Sequence, residues 1–174
     1  MSVHFLHPRV FKINVGFMLN AGPGTTHDST FDFPEVRVSD DLTLNYLRGP
    51  VRLSRTKEGI LVQAELHAGL DVECMRCLDP VRLDMQFEIE ELFATNPQVA
   101  AAFYLAEDAV LDLAPLLREE ILIHSDERVL CRPDCKGLCP QCGINRNRET
   151  CSCAEEAGDP RLAALRQLLK DEQQ

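Results

Sequence analysis

The 174-residue chain contains no tryptophan, and aromatic residues make up only 6% of it. A nucleic-acid surface built mainly on stacked rings therefore has little to work with. Positive charge is scarce too: 18 Lys and Arg stand against 28 Asp and Glu, a formal net charge of −10. That balance excludes a whole-surface electrostatic grip on phosphate or on an anionic membrane. No apolar run approaches the ~18 uninterrupted residues that a membrane span requires. The phosphate-cradling glycine loop, the nucleophile elbow and the paired-histidine metalloprotease helix are all missing from the sequence. Together these absences point away from an enzyme, a membrane protein and a small-molecule substrate.

What is present is ordinary globular composition, 45% apolar and 26% charged, in a chain long enough for one domain plus an appendage. The apolar stretch from Met1 to Leu19 is interrupted by His7, Pro8, Arg9 and Lys12, and no small-residue cleavage site follows. It reads as mature protein, which places the expected location in the cytoplasm. In that reducing compartment paired thiols hold metal more often than they form disulfides.

Phe11, Ile13, Val15, Phe17 and Leu19 alternate and predict a first strand, followed by a loop over Asn20 to Thr30. Val36 and Val38, then Leu42, Leu44 and Tyr46, predict short extended pieces. Val51 and Leu53 open a strand that enters the turn Thr56-Lys57-Glu58-Gly59, whose glycine tolerates positive φ. From Ile60 to Cys74 apolar residues hold one parity, and Val81, Leu83, Met85, Phe87 and Ile89 repeat the pattern. These predict two long strands paired as an antiparallel hairpin, each with one buried face, with Cys74-Met75-Arg76-Cys77 at the tip. Asp112 is placed to cap a helix over residues 112–124 whose Leu113, Leu116, Leu117 and Ile121 share a face. A last helix is expected from Asp159-Pro160. The expected fold is α+β, an antiparallel sheet with one packed helix over residues 1–125 and a cysteine-rich extension over 126–174.

Eight cysteines carry the chemistry. Cys74 and Cys77 have the two-residue gap that lets two thiolates converge on one ion. Cys139-Pro140-Gln141-Cys142-Gly143 is sharper, because proline stiffens the loop and glycine permits the bend after the second thiol. Cys131 and Cys135, and Cys151 and Cys153, complete a set of eight candidate metal ligands. Soft thiolates favour zinc or an iron–sulfur cluster, with zinc the usual occupant of such a knuckle, and eight suffice for two closed four-cysteine sites. The favoured grouping puts Cys74, Cys77, Cys131 and Cys135 on one ion and Cys139, Cys142, Cys151 and Cys153 on another. The rival unites the two C-x-x-C knuckles, and spacing leaves both open.

Around these cysteines Arg128, Arg132, Lys136, Arg146 and Arg148 face the single acid Asp134, a basic segment in an acidic chain. Arg48, Arg52, Arg55 and Lys57 form a second run without an acid inside it. Local patches of this kind suit docking on RNA at a restricted spot, the first more than the second. The five histidines are scattered, and Glu90-Glu91 and Glu119-Glu120 read as solvated faces rather than acid–base pairs.

The knuckle Cys74-Met75-Arg76-Cys77-Leu78, the helix end Glu119-Glu120-Ile121-Leu122 and the run Asp134-Cys135-Lys136-Gly137-Leu138-Cys139-Pro140-Gln141-Cys142-Gly143-Ile144-Asn145 resemble the YceD family of bacterial and plastid proteins. The resemblance covers Val51 to Cys153, with Arg146 standing where that family usually has Leu. It implies a role in accumulation of large-subunit (23S) ribosomal RNA, hence in ribosome assembly. A non-catalytic factor touching that RNA or a ribosomal protein is the expectation, with an adaptor that never touches RNA as the alternative.

Overall fold

The computed structural model describes residues 8–125 and 128–153. The helix expected from Asp159 lies outside the described residues. The chain opens with a 3-10 turn, Pro8–Phe11, then strand β1 (Lys12–Asn14) and a short helix α1 (Gly16–Ala21). The single strand expected from Phe11 to Leu19 is therefore broken. Phe11, Val15 and Met18 are buried whereas Phe17 is 51% exposed, so the working spacing is that of a turning chain rather than of a pleat. The Val15 carbonyl accepts hydrogen bonds from the Met18 and Leu19 N–H groups and closes that turn.

Strand β2 (Thr26–Phe33) begins inside the expected loop. It is an edge strand, and its polar residues give no alternation; its partner across the sheet explains it. Asp28 pairs with Arg52 and Asp32 with Arg48 along its register, with ion pairs of 2.6 Å and 3.0 Å. A hairpin of β3 (Val36–Ser39) and β4 (Leu42–Leu44) follows. The longest strands are β5 (Tyr46–Arg55), β6 (Gly59–Glu73) and β7 (Pro80–Ala94). After them come β8 (Phe103–Tyr104), β9 (Val110–Asp112) and helix α2 (Ala114–Ser125).

The main sheet has the order β2-β5-β6-β7-β8, antiparallel except for the short parallel pair β7-β8; β1 pairs separately with β9. The β6–β7 hairpin is in register from Gly59↔Ala94 to Glu73↔Pro80. Gly59 turns out not to have positive φ. Its need is space, since a Cβ there would lie 2.0 Å from the Phe93 carbonyl oxygen.

One face of the sheet is buried by Val51, Leu53, Ile60, Val62, Leu66, Phe87 and Ile89, and α2 covers it with Leu116, Leu117 and Ile121. Helix α2 starts two residues after its cap, where Asp112 Oδ1 accepts the Ala114 N–H at 3.1 Å. The hairpin is fifteen residues per strand, or ~50 Å, and outruns that cover. Its far end therefore meets a second, separate apolar cluster made of Cys74, Cys77 and Cys135 with Val81, Leu130 and Leu138 around them.

Candidate metal centres

At the hairpin tip the Cys74 N–H donates to the Asp79 carbonyl and the Leu78 N–H to the Cys74 carbonyl, both at 2.9 Å. Leu78 adopts a left-handed φ of 59° to close this bend. Both thiols are thereby turned to the buried side, while Met75 and Leu78 stand 63% and 56% exposed. The segment after α2 is drawn onto the tip by the Met75 N–H, which donates to the Val129 carbonyl at 3.0 Å. That contact carries Cys131 and Cys135 to the knuckle.

The sulfur atoms then fall into two groups. Cys74, Cys77, Cys131 and Cys135 form one, Cys139, Cys142, Cys151 and Cys153 the other, and within each group the Sγ atoms lie within 4.8 Å of one another. Of the two groupings left open by spacing, this is the one that keeps the knuckles apart. In the first group Cys74 Sγ is 3.8 Å from Cys135 Sγ and Cys77 Sγ 3.5 Å from Cys131 Sγ. Zinc–sulfur bonds of ~2.3 Å in a tetrahedron require sulfurs about 3.8 Å apart, so the donor set and its spread both fit such an ion. Each group could hold one metal ion.

The second group is shaped locally. Cys139 N–H donates to the Ile144 carbonyl at 2.8 Å and Gly143 N–H to the Cys139 carbonyl at 2.9 Å. Gly143, at φ 73°, supplies the left-handed bend after Cys142. Gly137, at φ 71°, passes the Arg76 carbonyl so closely that a Cβ would lie 3.0 Å from its oxygen. There the Leu138 N–H donates to that same carbonyl at 2.9 Å, docking the second knuckle on the first.

Proton affinities within each group are split. Burial opposes the Cys74 thiolate, yet N–H groups of Arg76, Cys131 and Cys77 prevail and hold its pKa down at about 6. The N–H groups of Cys142 and Gln141 likewise hold Cys139 at about 6, and the Asn147 amide lowers Cys135. Against these, the Asp79 N–H favours the Cys77 thiolate, but burial and the adjacent thiols push it up to about 12. The neighbouring Cys142 and burial push Cys153 to about 12 as well. Each group thus accepts some negative charge readily and resists the rest; a cation among the sulfurs removes that resistance.

The basic residues are placed unevenly. Lys136, Arg146 and Arg148 line one groove of ≈ 520 Å³ with Asn147, Glu149 and Thr150. Arg148 donates to Asp79 Oδ1 at 2.6 Å, and Arg132 lies 3.7 Å from Asp134. Arg128 is exposed at the start of the segment. The other run is engaged: Arg48 and Arg52 sit on Asp32 and Asp28, and Arg55 donates to the carbonyls of Thr56 and Gly59. Asp79 and Asn147 carry no signal in the sequence, because isolated polar residues in a loop form no pattern, and Asn145 enters only as the end of the family-like run.

No helix among the described residues is long and apolar enough to cross a membrane. Fold and site together define a β-sheet protein whose hairpin tip and trailing loops converge on two tetra-cysteine clusters. The chain belongs to the YceD family, described as large ribosomal RNA subunit accumulation protein, whose profile matches residues 62–169. An uncharacterized protein of Mycobacterium tuberculosis is 36% identical over 129 residues, 70% of this chain and 61% of that protein. An uncharacterized protein of Mycobacterium leprae is 30% identical over 154 residues, 82% of this chain and 69% of the relative. A chloroplastic protein of Arabidopsis thaliana named large ribosomal RNA subunit accumulation protein YCED homolog 1 is 30% identical over 64 residues, 37% of this chain and 20% of its own length. The chain thus spans about three fifths of the tuberculosis relative (61%). No solved structure gives a significant match.

Proposed function

We propose that this chain is a non-catalytic, zinc-binding factor of the cytoplasm that supports accumulation of 23S ribosomal RNA by contacting RNA of the large subunit. In this reading Cys74, Cys77, Cys131 and Cys135 hold one zinc ion, and Cys139, Cys142, Cys151 and Cys153 a second. The ions shape residues 128–153 into an extension of the sheet body, and four thiolates per ion leave no open position for substrate or water. The carrying observation is the groove where Lys136 joins Arg146 and Arg148, cations from the two clusters' loops gathered on one exposed surface. Arg128 and Arg132 extend the same charge along the segment.

Lys136 and Arg146 make no ion pair among the described residues, so they are the free cations for phosphate, whereas Arg148 is shared with Asp79. The double change Lys136→Gln, Arg146→Gln is expected to leave metal content intact and to weaken binding to large-subunit RNA. The slope of log affinity against log salt should flatten by roughly 0.7–0.9 for each phosphate that is no longer neutralised. Unchanged affinity and slope would reject this surface. The second reading, a protein-binding adaptor, draws on the outer face of the sheet, where Glu65, Glu88 and Glu90 line a groove of ≈ 580 Å³. Crosslinking in cells that recovers a basic protein through this face and no RNA would favour it.

A further inference from the structure

The two clusters touch through side chains that lie between the ligands of the second and reach the ligands of the first. Asn147 sits in the loop between Cys142 and Cys151, and its Nδ2 donates to Cys135 Sγ at 3.3 Å. Its Oδ1 accepts the Lys136 N–H at 2.8 Å. A backbone N–H can only donate, which fixes the oxygen toward Lys136 and leaves the amide hydrogens for the sulfur. Beside it, Asn145 Nδ2 and Arg148 donate to the two oxygens of Asp79, at 3.0 Å and 2.6 Å. Asp79 Oδ2 in turn lies 3.4 Å from Cys77 Sγ. Cys135 therefore accepts directly from Asn147, and Cys77 stands beside a carboxylate held by Asn145 and Arg148.

That loop is itself fixed by the second cluster. It is closed at one end by Cys139 and Cys142 and at the other by Cys151 and Cys153. Within it the Asn147 N–H donates to Asn145 Oδ1 at 3.0 Å and the Arg148 N–H to the Asn145 carbonyl at 3.0 Å. A loop tied by four thiols to one ion holds these amides in place; released, it must order them anew each time one meets a sulfur.

We infer that Asn147 is a positioning residue through which occupancy of the second centre raises the metal affinity of the first, so that the two centres load as a linked pair. This rests on the reading that both clusters hold metal. A side chain that donates to a ligand thiolate and orients it is worth ~10–100-fold in metal affinity. Linkage is reciprocal, so emptying either centre must weaken the other by the same factor.

The test uses the full chain, with zinc as the only added ligand. A competing chelator is titrated while alkylation of each cysteine is mapped, which resolves the two centres. Asn147→Asp is the discriminating variant. It keeps the size and the acceptor toward Lys136, so the local fold is retained, but it removes the donor to Cys135. It should lower first-centre affinity ~10-fold or more with little change at the second. The variant Cys139→Ser, Cys142→Ser should lower first-centre affinity comparably, and Cys74→Ser, Cys77→Ser should lower the second by a matching factor. If Asn147→Asp and the second-centre variant both retain wild-type affinity at the first, the inference is wrong. If the wild-type chain binds no zinc at all, the underlying reading fails instead.

Discussion

The two ends of the β6–β7 hairpin have the same strand pattern and opposite means of staying folded. At the near end Val62, Leu66 and Ile89 are buried against Leu116 and Leu117 of α2, in one core with Ile60 and Phe87. At the far end the cover is Cys131, Cys135, Leu130 and Leu138, delivered by a segment with no strand or helix of its own among the described residues. The near end is stable because apolar area leaves water, at ~25 cal/mol per Å². The far end has too few carbon side chains for that, and four sulfurs of uneven proton affinity converge there instead. One hairpin therefore bridges a conventional core and a cluster of four thiols that could hold an ion.

The largest expected effect comes from breaking the far end. Cys74→Ser with Cys77→Ser should remove one metal ion, with a loss on the order of 10 kcal/mol of binding energy. Hydrogen exchange should become fast over 128–138 while the strands β5 to β7 under α2 stay protected. Collapse of protection throughout the sheet would erase the distinction between the two ends. A smaller effect, at the opposite end, is expected of Leu117→Ala, a fully packed core position 1% exposed. It should cost ~2–5 kcal/mol in denaturant unfolding and leave metal content unchanged.

The gentlest probe is acid. Cys74 and Cys139, lowered from 9.0 to about 6, add stability that is complete above pH 9 and is lost as pH falls through about 6. Cys77 and Cys153, raised to about 12, hold protons that metal must displace at any lower pH. Both trends point the same way: metal occupancy should fall as pH drops below about 6, with far-ultraviolet dichroism of the sheet persisting. Metal retention that is flat across that range would contradict the thiolate assignment.

The same contrast explains what the sequence disclosed. The long hairpin was legible because its parity holds from Ile60 to Val72 and again from Val81 to Ile89, and α2 because Leu113, Leu116, Leu117 and Ile121 share a face. Strand β2 was not, since its backbone partner is β5, about twenty positions away in the chain, and only Phe31 of its residues is buried. The same register holds Arg48 against Asp32 and Arg52 against Asp28. Near Phe11 to Leu19 the alternation was incidental, and the burial of Val15 and Met18 followed a turn. The grouping of the cysteines was favoured in the sequence but left open by spacing, and tertiary contacts such as Met75 N–H to the Val129 carbonyl and Leu138 N–H to the Arg76 carbonyl set it. Asn147 had no signal of any kind until its amide was seen beside Cys135.

In the proposed function the far end of the hairpin and the loops upon it are held by two metal ions. Native mass spectrometry of the full chain, before and after treatment with a strong chelator, tests it most directly. The account predicts a mass loss equal to two zinc ions per chain, with all eight cysteines alkylated only after chelation. A chain that carries no metal as purified, with its cysteines paired as disulfides or open to alkylation from the start, would contradict it.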